Sequence, residues 1–166
     1  DPNVDAVKCL TMEVLPRVQQ KLGPIQVTIV GSNATAEIFD LQSDSVKVVG
    51  WVDDLLPYYN SHKMVVAPLR YGAGVKGKIG EALSHGIPTV TTSVGVEGMP
   101  LVNGQDILFA DTADEIADAV VKVYNDEQLW TSLSHNGQRK IDSLVGSEAL
   151  RKMVDDLLDQ VSGLKA

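Results

Sequence analysis

Residues 64–92 read MVVAPLRYGAGVKGKIGEALSHGIPTVTT: two short apolar runs, 64–69 and 88–92, enclose a glycine-rich turn and a helical segment. Gly72, Gly74 and Gly77 let the backbone approach a ligand without Cβ obstruction. The helix that starts near Lys76 presents unpaired N–H groups and a partial positive charge to any anion there. Lys76 and Lys78 stand where a helix prefers carboxylates, a misplacement of a few tenths of a kcal/mol each, roughly, that an arriving anion would reverse. The stretch therefore predicts a site that reads a phosphate at the loop and a further group along the helix.

The pattern around it alternates strand and helix. Asp1 and Pro2 open a helix whose Val4, Val7, Leu10, Val14, Val18 and Leu22 recur at helical spacing until Gly23-Pro24. IQVTIVG reads as a strand ending at Gly31, a short helix covers about 35–41, VKVVGW is the next strand, and Asp53-Asp54 cap a helix through Tyr59. After the glycine loop and its helix, which Gly86 and Pro88 stop, come strand PTVTTS, a short strand at 107–110 and helices at 113–125, 127–144 and 148–164. Short apolar strands separated by helices signal a Rossmann-like, doubly wound parallel α/β sheet, with ligands beyond the carboxyl ends of the strands. The glycine loop follows such an end. Because the first element is a helix, the strand that becomes central in the order 3-2-1-4-5-6 is missing, and compensation is expected between IQVTIV and MVVAPL: direct pairing, or an edge donated by another molecule. Residues 1–166 read as one domain, and the start on DPNVDAV, without Met, reads as a piece excised from something longer.

With 166 residues and 44% apolar content the chain has enough material for a full core. A net charge of −8 with no basic run longer than two argues against a nucleic-acid surface. No apolar run approaches the length of a membrane-spanning segment. Cys9, the only cysteine, rules out an intrachain disulfide, fits a reducing cytoplasmic compartment and reads as a small core residue.

Three readings of the loop compete. Gly72 to Gly77 satisfies G-x-G-x-x-G, but in a dinucleotide fold that motif follows the first strand directly and an acidic residue ends the second, whereas here Pro68-Leu69-Arg70-Tyr71 intervene and the next strand ends in Thr91-Thr92-Ser93. Gly72 to Lys78 nearly satisfies G-x-x-x-x-G-K-[ST], but Ile79 replaces the hydroxyl that would bind magnesium. The third reading uses Glu81. It stands one to one and a half turns into the helix, roughly 5 to 8 Å along the axis, comparable to the span from a diphosphate to the hydroxyls of its ribose. A carboxylate accepts two hydrogen bonds from neighbouring hydroxyls while lysines and loop amides hold phosphates. The alternative for the same residues is an exposed Lys78–Glu81 pair on an ordinary helix. Ile79, Ala82 and Leu83 form the buried face under either reading.

PNVDAV at 2–7, EVLP at 13–16, IVG at 29–31, GWVDD at 50–54 and APLRYGAGVKGKIGEALSHGIPTVTTSVGVEG at 67–98 resemble the carboxyl-terminal domain of GT-B-fold glycosyltransferases, in the large retaining set called group 1 or family 4. The resemblance covers nearly the whole chain. It implies a domain that holds a sugar-nucleotide donor: Glu81 on the ribose, the loop Gly72, Ala73, Gly74 and Val75 against the diphosphate and sugar, and Trp51 and Val52 beside the base. Lys76 and Lys78 would stabilise the departing diphosphate, an electrostatic role that needs no cofactor and no metal. It also implies a missing amino-terminal domain that carries the acceptor site, so that this piece alone binds without catalysing transfer. One departure is Ala73, eight residues before Glu81, where many members carry a second glutamate. The rivals are a non-catalytic nucleotide-binding or partner-docking module and a sugar-nucleotide epimerase domain.

Other residues have two roles open. Arg70 and Tyr71 at the crevice rim read either as phosphate and donor contacts or as a cover for the sheet edge. Glu97 reads as capping the turn at Gly98 or reaching the sugar. His62 and His135 read as surface residues, and Asp155, Asp156 and Asp159 as a solvated helix face.

Overall fold

The computed structural model of the chain describes residues 1–32 and 34–163, the side chains of 152 and 159–163 excepted. The first helical run is α1 (Pro2–Lys8), a π-helical turn (Cys9–Val14) and α2 (Leu15–Leu22). Asp1 caps it, its carboxylate accepting from the Asn3 N–H at 2.7 Å. Pro16 accounts for the widened turn: proline has no N–H for the carbonyl four residues back and its ring crowds that carbonyl, so the Leu15 N–H reaches Leu10 O instead. Val14 and Leu15 are both buried as a result, in two different apolar clusters.

There follow β1 (Val27–Val30), α3 (Ala36–Phe39), β2 (Val46–Gly50), α4 (Leu56–Ser61), β3 (Val65–Ala67), α5 (Gly77–Ser84), β4 (Thr89–Thr91), β5 (Leu108–Phe109), α6 (Ala113–Asn125), α7 (Glu127–Val145) and α8 (Ser147–Gly163). The expected helix end at 164 lies outside the described residues, as does the side chain of Asp159; Asp155 and Asp156 are exposed. Asp54 starts α4 by accepting from the Leu56 N–H at 2.8 Å. A capping box of Thr112 and Glu115 starts α6. Among the described residues no helix is long and apolar enough to cross a membrane.

All strand pairs are parallel, as a doubly wound α/β fold requires, but they form two sheets: β1-β2, and β3-β4-β5. The break falls between β1 and β3, where the order 3-2-1-4-5-6 places its first strand. Direct pairing of β1 with β3, one of the compensations expected, is not made among the described residues. A side chain spans the break instead. His62, expected on the surface, is half-buried, with Nε2 2.8 Å from Thr28 Oγ1 on β1 and Nδ1 2.8 Å from Tyr58 O. One apolar cluster also runs across the break, packing Leu10, Val14 and Val18 with Val27 and Ile29 of β1 and Val66 and Val90 of the other sheet.

Three threonines at β4 are buried, and two of them fix the start of the glycine loop. Thr91 Oγ1 donates to Ala67 O at 2.7 Å, Thr92 Oγ1 to Leu69 O, and Thr89 Oγ1 to Ile87 O. Thr91 and Thr92, at the end of β4, therefore pin the carboxyl end of β3, which leads into residues 70–76.

Candidate functional site

Helix α5 is held from below. Ile79, Ala82 and Leu83 are 0%, 0% and 1% exposed, against Ile107, Ile141 and Leu101 on one flank and Tyr59 and Ile87 on the other. Burying the isoleucine and leucine side chains contributes about 1.5–3 kcal/mol each. The far end is tied to α7, Ser134 Oγ donating to Gly86 O at 2.6 Å and Gln138 Nε2 to Ser84 O at 3.0 Å. What stays exposed is the first turn and the face carrying Lys78 and Glu81.

The loop before it is not a strand. Gly72 (φ +127°) and Gly74 (φ +77°) occupy left-handed backbone that other residues avoid. A Cβ built on Gly74 or Gly77 meets no atom within 4 Å, so open space lies over the loop and the start of the helix. Lys76 is the N-cap residue of α5, and its ammonium folds back to donate to Gly72 O at 3.1 Å and to Gly74 O. Glu97 Oε2 stands 3.9 Å from it and is itself exposed, so the acid leans toward Lys76 rather than capping Gly98. Lys78 donates to the Asn3 carboxamide oxygen on α1, and no Lys78–Glu81 ion pair forms among the described residues. Burial, and then the neighbouring Lys76 charge, hold the Lys78 ammonium below the usual lysine range. Lys78 is thus held by a neutral oxygen, and Lys76 by two loop carbonyls with the Glu97 carboxylate at the edge of ion-pair distance.

Glu81 is exposed, and its field reaches α4. The buried Tyr59 phenol is pushed up to about 12, first by burial and then by the Glu81 charge. Tyr59 also stacks on His85, centroids 5.1 Å apart. Trp51 is 67% exposed just beyond β2, on the segment leading into α4, and Val52 beside it is half-buried. Ala73 and Val75 are exposed on the loop. From α1 across α5 toward α4 the surface thus presents Lys78 and then Glu81. Arg70 is committed elsewhere: it grips Asp5 through two hydrogen bonds and Glu13 at 3.2 Å, clamping the strand end to the first helical run instead of waiting for a phosphate. The guanidinium in turn holds the Asp5 carboxyl below the usual range.

A family model described as Glycosyl transferases group 1 matches residues 1–126. The chain belongs to that family. Within it, the chain is 27% identical over 153 residues to the capsular polysaccharide biosynthesis glycosyltransferase CapM of Staphylococcus aureus, covering 84% of this chain and 40% of CapM. Two solved structures share its fold. Sucrose-phosphate synthase from Thermosynechococcus elongatus superposes with a TM-score of 0.76 at 21% identity, over 99% of this chain and 44% of that one. Anabaena HepE, in complex with UDP and glucose, superposes with a TM-score of 0.74 at 15% identity, over 89% of this chain and 44% of that one. The group 1 chain described here therefore spans less than half the length of these relatives, and the GT-B, Rossmann-like class read from its sequence is the class of its neighbours.

Two residues beside the group 1 loop escape sequence reasoning. Asn3 touches Lys78 from 75 residues away, a pairing that no local spacing encodes. Tyr59 reads only as the end of a helix, although apolar patterning, which makes it the buried side of α4, is the signal that brings it near Glu81. A groove of about 280 Å³ lies elsewhere, on α7, lined by Gln105, Asp106, Asn136, Arg139, Lys140 and Ser143.

Proposed function

We propose that this chain binds the nucleoside-diphosphate part of a sugar-nucleotide donor, with the diphosphate over residues 72–78 and Glu81 on the ribose. One observation carries this reading: in a chain of net charge −8, two ammonium groups stand at the start of a helix beside open space over Gly74 and Gly77, Lys78 held by a neutral amide oxygen and Lys76 by loop carbonyls with the exposed Glu97 carboxylate 3.9 Å away. Phosphate oxygens complete such a site, because they bring Lys78 the charge that its amide partner does not supply and offer Lys76 a closer anion than Glu97 at 3.9 Å. The order Lys78 then Glu81 along α5 matches the order diphosphate then ribose, and on this reading Trp51 and Val52, on the segment after β2, take the base. The bound UDP of the HepE complex supports the same ligand class here.

The whole protein to which this domain belongs then transfers the sugar to an acceptor with retention at the anomeric carbon. An amino-terminal domain provides the acceptor site. The C–O bond between the anomeric carbon and the diphosphate breaks. Lys76, Lys78 and the N–H groups of the first turn neutralise charge growing on the departing oxygen, a preorganised arrangement that strengthens as that charge develops. A thermal-shift panel of UDP, GDP, ADP and their sugar conjugates tests the ligand class. A ligand at 100 times its dissociation constant stabilises by about 2.7 kcal/mol. No shift with any member of the panel would overturn the reading.

A further inference from the structure

Asn3 sits in the first turn of α1, and three contacts bring that turn to the glycine loop. Its carboxamide oxygen accepts the Lys78 hydrogen bond. Pro2 ring atoms lie 3.6 Å from the position a Cβ on Gly72 would take. Two residues on, Asp5 holds Arg70, whose guanidinium also reaches Glu13 in the π-helical turn. The Asn3 backbone N–H is occupied by the Asp1 carboxylate, whereas its side-chain NH2 has no protein partner among the described residues.

An amide has a chemistry at this place that no other side chain matches. Its oxygen steers the ammonium without cancelling its charge, as a carboxylate would, and its nitrogen keeps two donors for an anion. We propose that Asn3 is a member of the anion site: its oxygen positions the Lys78 ammonium, and its NH2 donates to the same phosphate group that Lys78 holds. The proposal rests on the nucleoside-diphosphate reading for its second half and on the contact itself for the first. The first turn of the helical run is thereby part of the site, 75 residues from the lysine it serves.

The test has two arms on the chain as it stands, for the wild type, Asn3→Ala and Asn3→Asp, all of which retain the backbone N–H bonded to Asp1. In the first arm the Lys78 ammonium is titrated by NMR without ligand. Asn3→Ala should lower its midpoint and Asn3→Asp raise it, because one variant removes an acceptor and the other adds a negative charge. An unmoved midpoint in both variants overturns the positioning role, whatever the chain binds. In the second arm inorganic pyrophosphate, UDP, GDP and ADP are titrated calorimetrically. Asn3→Ala should weaken binding about tenfold, the scale of one hydrogen bond to a charged group, and Asn3→Asp should weaken it further, most at low salt. Wild-type affinity in Asn3→Ala overturns the donor role. A wild type that binds none of the four probes overturns the nucleotide reading and with it the donor role, while the first arm still decides positioning.

Discussion

Replacing Lys78 with methionine keeps an unbranched stem and removes the ammonium, and the structure predicts opposite consequences for ligand affinity and for folding. In the complex, the variant loses a charge-assisted hydrogen bond to phosphate, about 1.5–3 kcal/mol, or roughly tenfold to 150-fold in affinity. In the free protein Lys78 is a cation at a helix N-terminus beside Lys76, and its ammonium is held below the lysine range by burial. Its removal relieves about 0.3–1 kcal/mol of unfavourable dipole and like-charge interaction. That relief offsets the loss of the hydrogen bond to Asn3, net about 0.5–1.5 kcal/mol, so stability should stay within about 1 kcal/mol of the wild type. Calorimetric titration with whichever of UDP, GDP and ADP the wild type binds, set beside urea denaturation of both proteins, reads the two quantities. Unchanged affinity would remove Lys78 from the site. A fall in stability as large as the fall in affinity would make Lys78 a structural residue and refute the reasoning.

Glu81→Gln should weaken nucleoside diphosphates about tenfold while leaving inorganic pyrophosphate unaffected, since only the former carries a ribose; equal losses in calorimetry would detach Glu81 from the sugar. Affinity for the diphosphate should fall as pH rises through the lowered Lys78 value, below the ordinary 10.5. Over that same window the folded state binds fewer protons than the unfolded one, so stability should rise with pH while binding is lost, a pair of opposite slopes that pH-dependent titration and denaturation reveal. Gly137→Ala should destabilise by about 1–3 kcal/mol despite its helix propensity, because the added Cβ would lie 2.8 Å from Asp106 O and 2.7 Å from Leu83 Cδ2, behind α5. Urea unfolding showing a more stable variant would contradict that packing.

Much of this was legible in the chain because periodicity is local. Helices 113–125 and 127–144 and the start of α5 were readable to within a residue from caps and apolar spacing, and the burial of Ile79, Ala82 and Leu83 followed from the same pattern. What was not legible depends on partners distant in sequence. Arg70 reads either as a phosphate ligand or as a cover for the sheet edge until Asp5 and Glu13, 65 and 57 residues away, are seen to hold it. His62 reads as a surface residue until Thr28 is found against its ring. The misplacement of Lys76 and Lys78 was visible in the sequence, but the oxygens that hold them belong to the loop backbone and to α1. The π-helical turn required weighing one proline against an otherwise continuous helical pattern.

The central claim is that a pyrophosphate docks on the first turn of α5 with Glu81 toward its ribose. Amide and lysine chemical-shift mapping with the nucleoside diphosphate that gives the largest melting shift tests it most directly. Perturbations are expected at 72–81, at the Lys78 ammonium and at Trp51 and Val52. Shifts confined to the α7 groove at Gln105, Asn136, Arg139 and Lys140, with 72–81 unmoved, would contradict it.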